Sequence, residues 1–201
     1  MNLTQLKADY INGIYYTKAL LIKDQAFTLQ SGKSSHIYLN HRDFLAQHHY
    51  LILIAKIYHE LASVIPHDYI LGTVDSVMSP IIVGAMSVLY QQDYVVVKKT
   101  SMAHGTKEDI YGNVKNSVLL IDDMTSTGGT LIEAAEKIRA AGGNVDYAII
   151  SAYRDNTAIE NLKQHNITLL SIASFGEIIT QLQNTLTIAE KTIIQQHPLV
   201  F

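Results

Sequence analysis

Asp122 and Asp123 stand side by side, followed by Met124 and then by Thr125-Ser126-Thr127-Gly128-Gly129-Thr130. These residue types in this order suit a phosphate lying next to a polyol. Glycines let the backbone curl so that several N–H groups converge on one anion. Ser and Thr add hydroxyl donors. Where a helix begins, its first N–H groups are unpaired and the positive end of its dipole lies behind them. A small-residue loop running into a helix is therefore a phosphate cradle. The two carboxylates cannot serve that phosphate, because like charges repel. They suit the hydroxyls of a neighbouring polyol, or a metal carried by the same ligand. A phosphate beside vicinal hydroxyls describes a ribose 5-phosphate. Other nucleotide loops fit less well: the chain has neither G-x-x-x-x-G-K-[ST] nor G-x-G-x-x-G after a strand. The plainer alternative, a strand end followed by a Thr/Gly helix cap, accounts for each residue but not for the whole string.

The elements around this string must place it. Val118-Leu119-Leu120-Ile121 is an unbroken aliphatic run, as expected of a strand buried on both faces. The residues from Leu131 to Arg139 have the pattern of an amphipathic helix, which Gly142-Gly143 stops. Before them the pattern predicts a helix over 3–22, then two short strands flanking a polar turn at Ser31-Gly32, and a long helix over 47–64 ending before Pro66. Strands are expected at 69–72, 93–98, 145–152 and 167–172, and helices at 80–90 and 157–164. A long polar loop covers 100–116, and the tail from Phe175 is mostly helical. Alternating strands and helices imply a mainly parallel sheet with right-handed crossovers. Ligands bind such sheets at the carboxyl ends of the strands, where Asp122 and Asp123 fall.

Two further loops bear on chemistry. The stretch Gly72-Thr73-Val74-Asp75-Ser76-Val77-Met78-Ser79-Pro80 should lie beside the first loop; alternatively it is an ordinary connection capped by Ser79. The segment Val97-Lys98-Lys99-Thr100-Ser101-Met102-Ala103-His104-Gly105-Thr106-Lys107 is too long and polar for a simple connector. Its lysines and histidine suit neutralisation of a leaving anion. A solvated surface loop is the alternative.

The Asp-Asp and Thr/Ser/Gly string closely resembles the phosphoribosyl-diphosphate (PRPP) motif of type I phosphoribosyltransferases. That resemblance implies that Asp122 and Asp123 hold the ribose 2- and 3-hydroxyls, and that Thr125, Ser126, Thr127, Gly128, Gly129 and Thr130 hold the 5-phosphate. Three more features resemble the orotate phosphoribosyltransferase family. Phe27-Thr28-Leu29-Gln30-Ser31-Gly32-Lys33-Ser34-Ser35-His36-Ile37-Tyr38 is similar to its N-terminal base-binding segment. Lys98-Lys99 followed by His104-Gly105 is similar to its mobile catalytic loop. Tyr153-Arg154 is similar to its Asp-Arg pair, whose arginine binds the orotate carboxylate. An arginine fork meets a carboxylate in two parallel hydrogen bonds; Arg154 as a mere surface residue at a strand end is the alternative.

By this resemblance the fold is α/β, a mainly parallel sheet flanked by helices. It forms a single domain with a core over about 45–173 and a hood from about 1–44 and 174–201. The implied activity is transfer of the 5-phosphoribosyl group from PRPP to orotate, with Mg²⁺ carried by PRPP and no dedicated protein cage. Lys98, Lys99 and His104 would serve the diphosphate, with Lys98 and His104 reaching into the site of a homodimer partner. Ser126, Arg154 and Tyr38 would hold orotate. Three residues depart from the family pattern: Met102 stands where the loop normally carries a catalytic lysine, Gln30 where many members have a lysine, and Tyr153 where an aspartate is usual. They leave open a catalytically weak or non-catalytic PRPP-binding paralogue, or a phosphoribosyltransferase for another base.

Composition fits this reading. The chain has 201 residues, 48% of them apolar, enough for one domain with a real core. A formal net charge of −3 gives no reason to expect a nucleic-acid surface. With no cysteine, disulfides, cysteine–zinc sites and a cysteine nucleophile are excluded. Neither a signal-peptide pattern nor an apolar run long enough to span a membrane is found, so a soluble cytoplasmic protein is expected.

Overall fold

The computed structural model describes residues 2–28, 34–99, 109–114 and 117–197. The chain opens with α1 (Leu3–Tyr16), capped by the Asn2 side chain accepting from the Gln5 N–H. Leu6, Tyr10 and Ile14 recur every four residues on its buried face. The helix expected to reach Ile22 ends sooner, because Lys18 takes a left-handed conformation, φ 61°, through which a right-handed helix cannot continue. From there Leu20 and Ile22 turn inward with period two, opposite Leu39 and Ile37. They belong to β1 (Leu20–Thr28) and β2 (Ser34–Leu39), an antiparallel two-stranded sheet. A short helix not expected from the sequence, α2 (His41–Leu45), and the long α3 (His48–Ala62) follow.

The larger sheet is built from β3 (Ile70–Val74), β4 (Tyr94–Val97), β5 (Ile110–Tyr111), β6 (Val118–Ile121), β7 (Met124–Thr125), β8 (Tyr147–Tyr153) and β9 (Thr168–Ser174). Across it the order is β5-β4-β3-β6-β8-β9, with β7 pairing β8 just past the end of β6. Every pairing is parallel except β4 with β5. The edge strand β5 falls inside the stretch expected to be loop, and β7 overlaps the start of the Thr/Ser/Gly string. Both are two residues long, too short to leave a periodic signal.

Helices cover both faces. They are α4 (Ser79–Tyr90), α5 (Gly129–Ala140), α6 (Thr157–Gln164), α7 (Phe175–Leu182) and α8 (Ile188–Gln196). All four residues of β6 are at most 1% exposed. Leu119 and Ile121 belong to the core shared with α1, α3, α4 and α7; Val118 and Leu120 belong to the core shared with α5 and α6. That two-sided burial is why the run has no polar alternation. The arrangement leaves the carboxyl ends of β3, β6 and β8 facing the two-stranded sheet.

Candidate active site

Past the end of β6 the chain stays attached to β8. The Asp122 N–H donates to the Ile149 carbonyl and the Ser151 N–H donates to the Asp123 carbonyl, each at 3.0 Å. Asp122 is buried, 8% exposed. Its Oδ1 accepts from the Ser79 hydroxyl and, at 2.9 Å, from the Asp123 N–H. Ser76 donates to Ser79 at 2.9 Å, so Ser76 of the β3–α4 loop and Ser79, the first residue of α4, are wired to the acidic pair. Tyr58 of α3 donates to the Asp122 carbonyl at 2.8 Å, and its hydroxyl lies 2.7 Å from Ser151 Oγ. Burial pushes the Asp122 carboxyl up to about 7, and the neighbouring Asp123 charge pushes it the same way. Burial raises Asp123 too, but the nearby His41 ring and the Met124 N–H outweigh it and leave Asp123 below the ordinary carboxylate value. One carboxyl of the pair thus holds its charge more firmly than the other.

The Thr/Ser/Gly string curls onto the start of α5. Thr125 Oγ1 accepts from the Gly128 N–H at 2.9 Å. Asn161 of α6 donates to the Thr127 carbonyl at 2.9 Å. Gly128 precedes α5 in the left-handed region, φ 81°, and a Cβ there would stand 3.0 Å from Leu162 Cγ. Ser126, Thr127 and Thr130 remain exposed. The loop is a helix N-terminus with free hydroxyls, next to two carboxylates, as the residue order implies.

These groups border a cavity of about 330 Å³ at the sheet's carboxyl edge. Of the residues expected at the site, the cavity brings together Tyr38, Lys99, Asp122, Asp123, Thr125, Ser126, Thr130 and Arg154. Thr127, Gly128 and Gly129 shape the loop without lining it. Arg154 donates to Ser35 Oγ at 2.8 Å and to the Ile37 carbonyl at 3.0 Å, with its guanidinium carbon 4.6 Å from the Phe175 ring centroid. It is thereby fixed between β8 and β2 with its remaining N–H groups uncommitted to these two partners. Burial lowers its pKa, against the pull of Asp155. Tyr38 stacks obliquely on Phe27, ring centroids 5.3 Å apart.

Lys98 does not line the cavity. Its side chain is folded into the chain, 3% exposed, with the ammonium 4.4 Å from the Tyr111 ring centroid. His104, Met102 and Gln30 lie outside the described residues. Sequence reasoning missed Ser79 as a partner of Asp122, along with Tyr58, Ser151 and His41. Ser79 carried a signal, a hydroxyl before Pro80, but it reads as a helix cap. Tyr58 sits on the apolar face of α3 with Ile54 and Leu61, where an aromatic reads as core.

Among the described residues no group of three or more His, Cys, Asp or Glu is placed to hold a metal ion. Two adjacent carboxylates offer oxygen donors only. They fit a Mg²⁺ that arrives on phosphate oxygens and keeps part of its water shell, not a caged ion.

A mainly parallel sheet between helices, with an acidic pair and a Thr/Ser/Gly loop where its central strand ends, is the type I phosphoribosyltransferase architecture. No family model matches the chain. It is 33% identical over 175 residues to the orotate phosphoribosyltransferase of Picrophilus torridus, covering 86% of this chain and 99% of that one. With the orotate phosphoribosyltransferase of Sulfolobus acidocaldarius it shares 30% identity over 183 residues, 90% of this chain and 91% of the other. The crystal structure of the Aeropyrum pernix orotate phosphoribosyltransferase superposes with a TM-score of 0.76 at 20% identity, over 86% of this chain and 97% of that one. The chain belongs to the orotate phosphoribosyltransferase family.

Proposed function

We propose that this protein transfers the 5-phosphoribosyl group of PRPP to orotate, giving orotidine 5-phosphate and diphosphate in de novo pyrimidine synthesis. The observation that carries this is one cavity bordered by the acidic pair, the helix-start loop and a fixed arginine. Asp122 and Asp123 accept from the ribose hydroxyls, and the 125–130 loop holds the 5-phosphate with backbone N–H and hydroxyl donors. Arg154 receives the orotate carboxylate with its free N–H groups, beside Tyr38 and Ser126. The bond from C1 to the diphosphate oxygen breaks as N1 of orotate bonds to C1, and the N1 proton passes to the departing diphosphate. Negative charge grows on the diphosphate, where Lys99 stands at the cavity wall. Catalysis is then mainly positioning and charge neutralisation. Asp122 and Asp123 offer the oxygen donors beside which a Mg²⁺ carried by PRPP would supply further neutralisation of that charge.

The two-stranded sheet, with α8 packed against β1, acts as a hood over the core, tied down by Arg154. A homodimer completes the reading. On α4, Ile81, Val88 and Leu89 are exposed and fall on one helical face. Exposed Tyr94 and Tyr111 lie on the same side of the sheet, since Val95 and Val97 face α5. Across such an interface His104 and, if it leaves Tyr111, Lys98 would serve the partner's site.

The test is consumption of orotate with PRPP and Mg²⁺, alongside calorimetric binding of PRPP. Wild type should bind PRPP, and Asp122→Asn with Asp123→Asn should not; equal binding by both proteins sinks the assignment of the pair. Met102 favours a second reading, a slow or inactive PRPP-binding paralogue. One positioned transition-state donor is worth about 2.7–4 kcal/mol, so its absence slows turnover by about a hundred- to a thousandfold. Met102→Lys should then raise kcat more than it changes PRPP affinity. Ordinary wild-type turnover with a neutral Met102→Lys removes the second reading and keeps the first.

A further inference from the structure

His41 opens α2, where Asn40 accepts from the Arg42 N–H at 3.2 Å and caps the turn. Its ring is 2% exposed, beside Tyr10 and Phe44. Nε2 lies 2.7 Å from the Tyr10 hydroxyl. Nδ1 is buried with no hydrogen-bond partner, and Asp123 Oδ2 stands 3.7 Å away. A buried polar nitrogen left unpartnered costs stability, so this atom calls for a reason. The tautomer supplies one. In the neutral ring, Nε2 donating to Tyr10 would leave a bare Nδ1 lone pair facing a carboxylate and repelled by it. With Tyr10 donating into Nε2, Nδ1 carries its proton and points at Asp123. The gap exceeds a hydrogen bond by about 0.8 Å, within the range of a charge–dipole attraction between the N–H and the carboxylate. Asp123 keeps 26% of its side chain exposed at the cavity, so the carboxylate faces the ring on one side and the cavity on the other.

We propose that His41 is a positioning residue: backed by Tyr10 of α1, its Nδ1–H sets the orientation of the Asp123 carboxylate that receives the ribose hydroxyls. The inference rests on the ribose-site reading above. It names a residue outside the phosphate loop, anchored in the N-terminal helix, that governs affinity for the sugar and leaves affinity for the phosphate alone.

Two substitutions separate positioning from packing. In His41→Asn the amide nitrogen falls near the position of Nδ1 and keeps the donor toward Asp123. In His41→Gln the amide reaches the position of Nε2, where its oxygen accepts from Tyr10, and no donor is left toward Asp123. Calorimetry with ribose 5-phosphate and with inorganic phosphate, and a thermal melt, are read for each. Loss of one hydrogen bond to a charged group should weaken ribose 5-phosphate by about tenfold in His41→Gln, with inorganic phosphate unchanged. His41→Asn should lose less than about threefold. If the two variants weaken ribose 5-phosphate equally, or inorganic phosphate falls with it, His41 serves only packing and the inference is overturned. Should wild type bind ribose 5-phosphate no better than inorganic phosphate, the ribose-site reading fails first and takes the inference with it.

Discussion

Asp122 and Asp123 are neighbours in sequence with opposite electrostatic fates. Asp122 is held against Ser79 under the sheet edge, and burial lifts its carboxyl to about 7 from an ordinary 3.8. In the window between those values the folded chain keeps a proton that the unfolded chain has released, so folding stability falls as pH rises through it. Asp123 contributes the opposite sign, because its folded value is depressed. Asp122→Asn removes the first contribution and leaves the second. Its melting temperature should therefore exceed that of wild type by a few degrees at about pH 8, and the difference should vanish near about pH 4. Melts across that range check this; a variant less stable than wild type at every pH would mean that the Ser79 and backbone hydrogen bonds dominate burial. The pair itself was legible in the sequence, because two carboxylates before a Thr/Ser/Gly run are a local string. Their partners were not. Ser79, Tyr58, Ser151 and His41 come from four separate segments, and only tertiary packing brings them to one place.

At the scale of elements, the string works because α5 starts where it does. Gly128 makes the left-handed turn that sends the chain into α5, and Leu162 of α6 packs where its side chain would be. Gly128→Ala adds strain and a close contact together, so it should cost about 1–3 kcal/mol and weaken inorganic phosphate binding as the loop opens. A denaturant titration and phosphate calorimetry read the two effects; a neutral outcome on both would mean that α6 yields easily and the turn is not strained. The sheet strands and helices from Ile70 onward were readable because long apolar runs and 3.6-residue patterns are local signals. The boundary at Thr17 and Lys18 was not. Leu20 and Leu21 fit the helical face of Leu6, Tyr10 and Ile14 as well as a strand, and the choice is made by β2, where Leu39 and Tyr38 pair with them. The two-residue strands β5 and β7 exist only through their neighbours, β4 and β8.

For the whole molecule, the unresolved demand is apolar surface. Val88 is 81% exposed, and Ile81 and Leu89 share its helical face beside Tyr94 and Tyr111. A second copy related by a twofold axis would cover this face with itself, so any substitution there enters the interface twice. Val88→Lys places two like charges in the buried centre and should convert a dimer to a monomer at micromolar concentration, with the melting temperature of the protomer little changed because the residue touches no core. Light scattering decides the mass. The same variant tests the proposed exchange of loops: a folded monomer should keep PRPP binding, proposed above to rest on Asp122, Asp123 and the 125–130 loop of one chain, while losing turnover if that turnover draws on His104 of a second copy. If wild type is already monomeric and active, the apolar face is not a self-interface; if the Val88→Lys monomer stays fully active, each cavity is complete within its own chain and Lys99 is the cation that matters.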